Sequence, residues 1–315
     1  MIGVFSYLVF FACIVLILGV MALGLNLQWG YTGLFNAGIV GFYAIGAYAH
    51  AILVTAPRPD LIGNFGLPWI VGIVGAMAAS ALAAWIVGLA TIRLRGDYLA
   101  IATFGIATTI QLVTLNWDGL TGGAQGLPAI PRPLSAWFGS PLGFNLFYLG
   151  LLIAVVGLVY WALERILRSP WGRVLKAIRE DETAAIALGK SARRFRLEAF
   201  VLGSTLMGLA GALYVGFIGF VSPFDFLPIL TFQIWAMVIV GGSGNNKGAL
   251  LGALVIWGIW AASGVLIAKL VPPAYAAQGG AVQVILIGLL LVASLLFRPR
   301  GLIGEVPVVS RHADD

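Results

Sequence analysis

The sequence predicts an all-α fold: a polytopic integral membrane protein with about 8–10 transmembrane helices, each of roughly 20 residues. Three observations predict it. The 315-residue chain is 61% hydrophobic and 10% charged, with a mean hydropathy of +1.02, whereas soluble domains run near ~25% charged. Apolar runs such as Val4–Leu27, Ile70–Ala90 and Val282–Phe297 approach or exceed what a hydrocarbon core of ~30 Å requires. The basic residues are gathered between such runs, where they report cytoplasmic loops.

Taken in order, the apolar runs give candidate spans at 4–27, 31–54, 68–91, 97–115, 145–163, 199–220, 229–244, 249–270 and 279–297. The first lacks a basic leader and reads as a span, not a cleaved signal peptide. Cys13, the only cysteine, excludes an internal disulfide and reads as a small packing residue. The loops 55–67 and 116–144 each carry one basic and one acidic residue and are assigned outside. The Arg93/Arg95 turn, the 164–198 loop and the 298–315 tail with Arg298 and Arg300 are assigned inside. The alternation gives an external N-terminus and an internal C-terminus. Glycines near 28–48 and 229–252 predict broken helices there.

Small residues recur every fourth position at Gly72, Ala76, Ser80, Ala84 and Gly88, and again at Ser204, Gly208, Ala212 and Gly216. Lipid offers little hydrophobic drive between helices, so such stripes let backbones approach and gain dispersion contact. Packing within the bundle is the favoured reading over a dimer interface.

Two polar, glycine-rich interruptions stand out: Asn26–Asn36 and Gly241–Gly248, both containing Gly-x-[Ser/Thr]-Gly. Interrupted segments in matching parts of two halves mark transport sites in some carriers; two unrelated tight turns is the competing reading. Lys247 is followed by glycine, not Ser or Thr, so 241–248 is not a nucleotide-binding loop. Two histidines and one cysteine support neither a metal cluster nor a nucleophilic triad, and catalytic residues are not predicted. His50 reads as interfacial. Asp97, Glu198, Asp225 and Lys269 all fall near span ends. Proton-coupled carriers need titratable groups at membrane depth, so energy for transport is expected from outside the bilayer.

The 164–198 loop carries nine of the eighteen Lys and Arg residues. Within it, Ile178–Gly189 is expected to form about three helical turns, with Glu180, Asp181 and Glu182 near its start and a glycine at its end. Ile178, Ala185, Ile186 and Leu188 are available to pack. A short helix with an apolar side suits a partner's groove, while a solvated loop held near anionic lipid remains the alternative.

Several segments resemble the Liv-type permeases of branched-chain amino-acid ABC importers. They are Gly30-Tyr-Thr-Gly-Leu-Phe-Asn-Ala-Gly38 with Gly46-Ala-Tyr48, Arg93–Thr103, Leu120-Thr-Gly-Gly-Ala-Gln-Gly-Leu127, Ser169-Pro-Trp-Gly-Arg173 with Ala177–Glu180, and Phe297-Arg-Pro-Arg-Gly-Leu302. The resemblance spans nearly the whole chain in order and is nearest to the LivM-type member. It implies that residues 1–315 form a single transmembrane permease domain, whose 164–198 loop is a cytoplasmic coupling loop.

The implied assembly adds a homologous second permease, two cytoplasmic ABC ATPases that bind the ATP and Mg, and an extracytoplasmic solute-binding protein. This chain itself would bind no cofactor and no nucleic acid, catalyse no reaction, and sit as a multi-pass protein in the bacterial inner membrane. Importers of this kind carry Glu-Ala-Ala-x-x-x-Gly at the coupling element. Here Ala184, Ala185 and Gly189 match, Thr183 stands at the acidic position, and Glu182 lies one place early. The coupling candidates are therefore Glu180, Asp181, Glu182, Ala184, Ala185 and Gly189.

Asn26, Gln28, Tyr31, Thr32 and Asn36 are candidate path-lining residues, with satisfaction of helix-end backbone groups as their alternative role. Thr121, Gly122, Gly123 and Gln125 are candidates for external contact with the binding protein. The implied function is import of branched-chain amino acids or a related small solute by alternating access. Rival readings are an ATPase-independent carrier or channel for a neutral solute, and a membrane scaffold.

Overall fold

The structure is a computed structural model, and it describes residues 2–59, 61–94, 96–270 and 276–305. Arg95, His312 and the tail beyond 305 lie outside the described residues. Helix α1 (Ile2–Leu25) continues into a π-helical turn (Asn26–Gly30); after non-helical residues 31–38 comes α2 (Ile39–Val54). Then follow α3 (Trp69–Thr91), α4 (Asp97–Asn116), the single turn α5 (Asp118–Thr121) and α6 (Pro141–Leu167). The basic 164–198 loop holds α7 (Pro170–Glu180) and α8 (Glu182–Ala187), and α9 (Ala192–Ile218), α10 (Pro228–Gly241), α11 (Asn246–Leu270) and α12 (Ala276–Phe297) follow.

Seven helical segments are long and apolar enough to cross a membrane, while α2 and α10 are shorter apolar helices. The span expected at 31–54 is thus corrected: helix begins only at Ile39, because Gly33 takes a left-handed φ of +73° and the preceding turn widens to π geometry. The predicted break near 28–48 is present, and α10 ends at Gly241 before a turn into α11. Helix α9 starts at Ala192 rather than 199, so Arg193, Arg194 and Arg196 ride on its first turns.

The core lies where α2, α3 and α9 meet around α1. The two small-residue stripes face inward. A Cβ on Gly208 of α9 would stand 2.1 Å from Ser80 Oγ of α3, and one on Gly46 of α2 would stand 2.2 Å from the Gly208 carbonyl. Ser80 Oγ donates to the Phe42 carbonyl at 3.0 Å, tying α3 to α2. These stripes pack the bundle itself. Cys13 is fully buried in the same core. His50, expected at the interface, is also fully buried, edge-on to Trp69.

Hydrogen bonds sort the connections onto two sides. On one, the loop after α5 pairs with the strand-like exit of α9: Leu127 and Val221 exchange bonds of 2.9 and 3.2 Å, and Ile130 N donates to Gly219 O at 3.0 Å. On the other, α7, the π-helical turn, the α10–α11 turn and residues 298–305 converge. The second side carries the basic 164–198 loop.

Candidate functional site

The expected three-turn helix is two helices. Asp181 breaks it, with an extended backbone (φ −150°, ψ 101°), and its carboxylate accepts from Thr183 N at 2.8 Å and Ala184 N at 3.0 Å. Asp181 therefore satisfies orphan donors at the start of α8. At the other end Gly189 adopts φ +75° with open space around it. Gly189 N donates to Ile186 O and Lys190 N to Ala185 O, a Schellman ending. The glycine serves backbone conformation, not close packing.

Of the coupling candidates, Ala185 points inward: it is 3% exposed and packs with Ile178 and Ala192 beside Val174 and Phe195. Glu182 lies 3.5 Å from Arg196 of α9, bracing α8 against the membrane helix. Glu180 is largely exposed, 3.9 Å from Arg179. The outward face consists of Thr183, Ala184, Ile186, Ala187 and Leu188, with Leu188 79% exposed. Thr183 and Ala187 were missed by motif matching. The i, i+4 relation between them, in a loop whose Ala185 faces inward, is the signal that finds them.

Helix α7 grips the break in the membrane helix. Arg179 donates to the Gly30 carbonyl and to Glu305 Oε2 (2.7 Å), while Lys176 Nζ meets Glu305 Oε1 at 2.7 Å. The strap that carries Glu305 adds to the end of α10: Leu302 N donates to Val240 O at 2.8 Å and Ile303 N to Gly241 O at 2.9 Å. Burial raises the Glu305 pKa, but the hydrogen bonds and charges of Lys176 and Arg179 outweigh it and hold the carboxyl below its ordinary value. Arg179 and Glu305 escaped sequence reasoning because their partners lie more than a hundred residues away.

The five candidate path residues are brought together, but chiefly as internal ties. Asn26 Oδ1 accepts from Gly244 N at 2.8 Å and its amide donates to Asn246 Oδ1 at 3.0 Å, so the two glycine-rich interruptions touch. Gln28 donates to Phe200 O (2.7 Å) and Ser204 Oγ (3.1 Å) of α9. Asn36 donates to Gln28 Oε1 at 2.8 Å and accepts from Gly38 N at 2.7 Å. Thr32 Oγ1 donates to the Leu27 carbonyl at 3.0 Å.

Asn26, Gln28 and Asn36 are fully buried and Thr32 nearly so. This matches the backbone-satisfying alternative, because a non-helical stretch inside a membrane requires such partners. Tyr31, under the Lys176 ammonium (5.4 Å from its ring centre), also lines an open cavity of about 760 Å³ with Glu164, Lys247 and Glu305.

In the 116–144 loop, Thr121 is buried and its hydroxyl lies 2.7 Å from both the Thr114 and Trp117 carbonyls. Gly122 and Gly123 both take positive φ. Gly123 is buried as well. These three shape the loop, and Gln125 is the one candidate with an exposed side chain.

Comparison with known proteins adds the following. A family model described as the permease component of the branched-chain amino acid transport system matches residues 7–295. The high-affinity branched-chain amino acid transport permease LivM of Escherichia coli is 32% identical, covering 93% of this chain and 69% of that protein. LivH of the same organism is 26% identical, covering 75% of this chain and 78% of that protein. The autoinducer 2 import permease LsrC of an Enterobacter species is 32% identical, over 62% of this chain and 56% of that protein.

Proposed function

Because the chain belongs to the family of branched-chain amino acid transport permeases, it is a multi-pass permease subunit of an ABC importer, and we propose that α8 is the element through which partner ATPases drive it. The observation that carries this is the outward face of α8. It exposes Ile186 and Leu188 on a module that Asp181, Glu182 and Ala185 fix to α7 and α9. An exposed short helix with apolar residues fits a partner's groove.

The full assembly pairs this chain with a homologous second permease, two ABC ATPases that bind ATP and Mg, and an extracytoplasmic binding protein, in the bacterial inner membrane. ATP hydrolysis on those ATPases displaces α8; α7 follows through its shared core; rigid-body rearrangement then opens the path to the other side. The solute is a branched-chain amino acid or a related small molecule.

The test compares two substitutions. Leu188→Asp is expected to leave the permease folded in the membrane yet remove ATPase co-purification and ATP-dependent uptake. Ala185→Glu buries a charge and is expected to destabilise the loop itself. Uptake that persists without ATPase subunits, or normal ATPase association of Leu188→Asp, would overturn the assignment.

A further inference from the structure

A second cavity, of about 210 Å³, lies between α1, α9, α10 and α11, away from the cytoplasmic module. Its walls are aliphatic on one side (Ile14, Ile17, Leu18, Leu230) and aromatic on another (Tyr214, Trp257, Trp260). Two polar side chains open onto it: Asp225 and Gln233. Pockets for drug-sized ligands run from roughly 300 to 1,000 Å³, so this smaller volume suits a solute of amino-acid size.

Gln233 is 4% exposed, and its amide makes no hydrogen bond among the described residues. An amide brings two donors and an acceptor, and Gln233 presents them to the cavity that it lines. Asn26, Gln28 and Asn36 are satisfied by hydrogen bonds within the protein. Tyr48, His50, Thr55, Asn64 and Trp69 carry buried polar atoms without a partner among the described residues, but line no cavity of this size together with a carboxylate. Gln233 faces a cavity instead.

Asp225 sits between α9 and α10, where its carboxylate accepts from Ser222 N at 2.9 Å and from the Tyr214 hydroxyl at 3.3 Å. These leave acceptor capacity over. Burial, partly opposed by those two hydrogen bonds, raises its pKa; among the described residues it has no ion-pair partner. None of the residues lining the cavity is Lys, Arg or His. The cavity thus offers one carboxylate, aromatic faces that attract cations, and one uncommitted amide.

We infer that this cavity is a solute subsite of the permease that selects a primary ammonium: Asp225 receives the ammonium, Gln233 the carboxylate, and Ile14, Ile17, Leu18 and Leu230 the aliphatic side chain. The inference rests on the importer reading and sharpens it, since urea, amides and other uncharged solutes leave Asp225 without a counter-charge.

The test uses the importer complex in lipid nanodiscs without ATP, carrying Leu230→Cys as reporter in a Cys13→Ala background. Thiosulfonates bearing an ammonium or a sulfonate modify the reporter, with rates normalised to a free thiol. The ammonium reagent is expected to react about tenfold faster, the size of effect a single-signed cleft exerts on local ion concentration. Asp225→Asn is expected to erase that preference. L-leucine is expected to slow labelling and 4-methylpentanoate, which lacks the ammonium, is not; Gln233→Leu is expected to remove the leucine effect. If Leu230→Cys fails to fold, Ile14→Cys reports on the same walls.

Equal rates for the two reagents, a preference that survives Asp225→Asn, or equal protection by both solutes overturns the subsite. These readouts need no ATP turnover, so they fail or succeed independently of whether ATPases drive uptake.

Discussion

Replacing Asn26 by leucine separates two roles that the sequence left open. Asn26 is fully buried, accepting from Gly244 N and donating to Asn246 Oδ1. Leucine occupies similar space but removes both bonds, leaving a buried backbone N–H and a buried amide oxygen without partners. Each orphaned group costs about 1–3 kcal/mol, and apolar burial of the new side chain offsets part of it, so a net loss of about 3 kcal/mol is expected. Chains of 150–250 residues lose ~2–4 °C of midpoint per kcal/mol; for this longer chain a drop of about 6 °C is expected.

The assay is thermal unfolding of the purified permease in detergent, beside solute competition in the reconstituted importer. The double variant with Asn246→Leu is expected to lose less than the sum of the two single changes, because both remove the same pair. A midpoint unchanged by Asn26→Leu, together with an altered solute preference, would refute the structural role and return Asn26 to the path.

Gly208→Leu forces a side chain into the Ser80 and Gly46 contacts; overpacking of about 1–3 kcal/mol is expected, read as lower yield and midpoint with association to ATPases intact in the folded fraction. Glu305→Gln keeps its shape but weakens its bonds to Lys176 and Arg179. Faster protease cleavage of the strap is expected, and exchanging the charges (Lys176→Glu with Glu305→Lys) is expected to restore protection. The pH dependence follows from the lowered Glu305 pKa: its stabilisation is fully present above the ordinary carboxylate value near ~4.3 and is lost as pH falls through the lower folded value. Strap protection is therefore expected to be flat from about pH 5 to 8 and to collapse only below about 4; loss near pH 6 would point to a different group.

The span pattern was legible because membrane helices announce themselves by length and apolarity. The helix ends were less so. Asp181 reads as one of three acids near a helix start, yet its cap splits the helix there, because Asp serves as an N-cap as readily as it occupies a first turn. Ala185 matches its motif in sequence but faces inward, since α8 has only six residues and one side must cover Ile178. Asn26, Gln28 and Asn36 have the chemistry of a transport path; what the sequence does not reveal is that each is engaged inside the protein, Asn26 and Gln28 by partners far along the chain and Asn36 by Gln28. Gln233 gave no signal in an apolar run, and its meaning comes from lacking one.

Helix α10 joins these features. Its fourteen residues make a rod of ~21 Å at 1.5 Å per residue. At one end the strap binds its last carbonyls, and through Glu305 that strap is held by α7. Toward the other end, Gln233 in the second turn of α10 and Asp225 just before the helix open onto the cavity. Helix α11 leaves the same turn, whose Gly244 N–H is held by Asn26. A shift of α7 relative to α9 therefore pulls on the π-helical turn through Arg179 and Gly30, and on α10 through Glu305. The first contact fixes the break in α1; the second reaches the walls of the cavity. Packed helices shift as bodies instead of deforming continuously, so a displacement imposed at the strap end of α10 is expected to move the cavity walls as well.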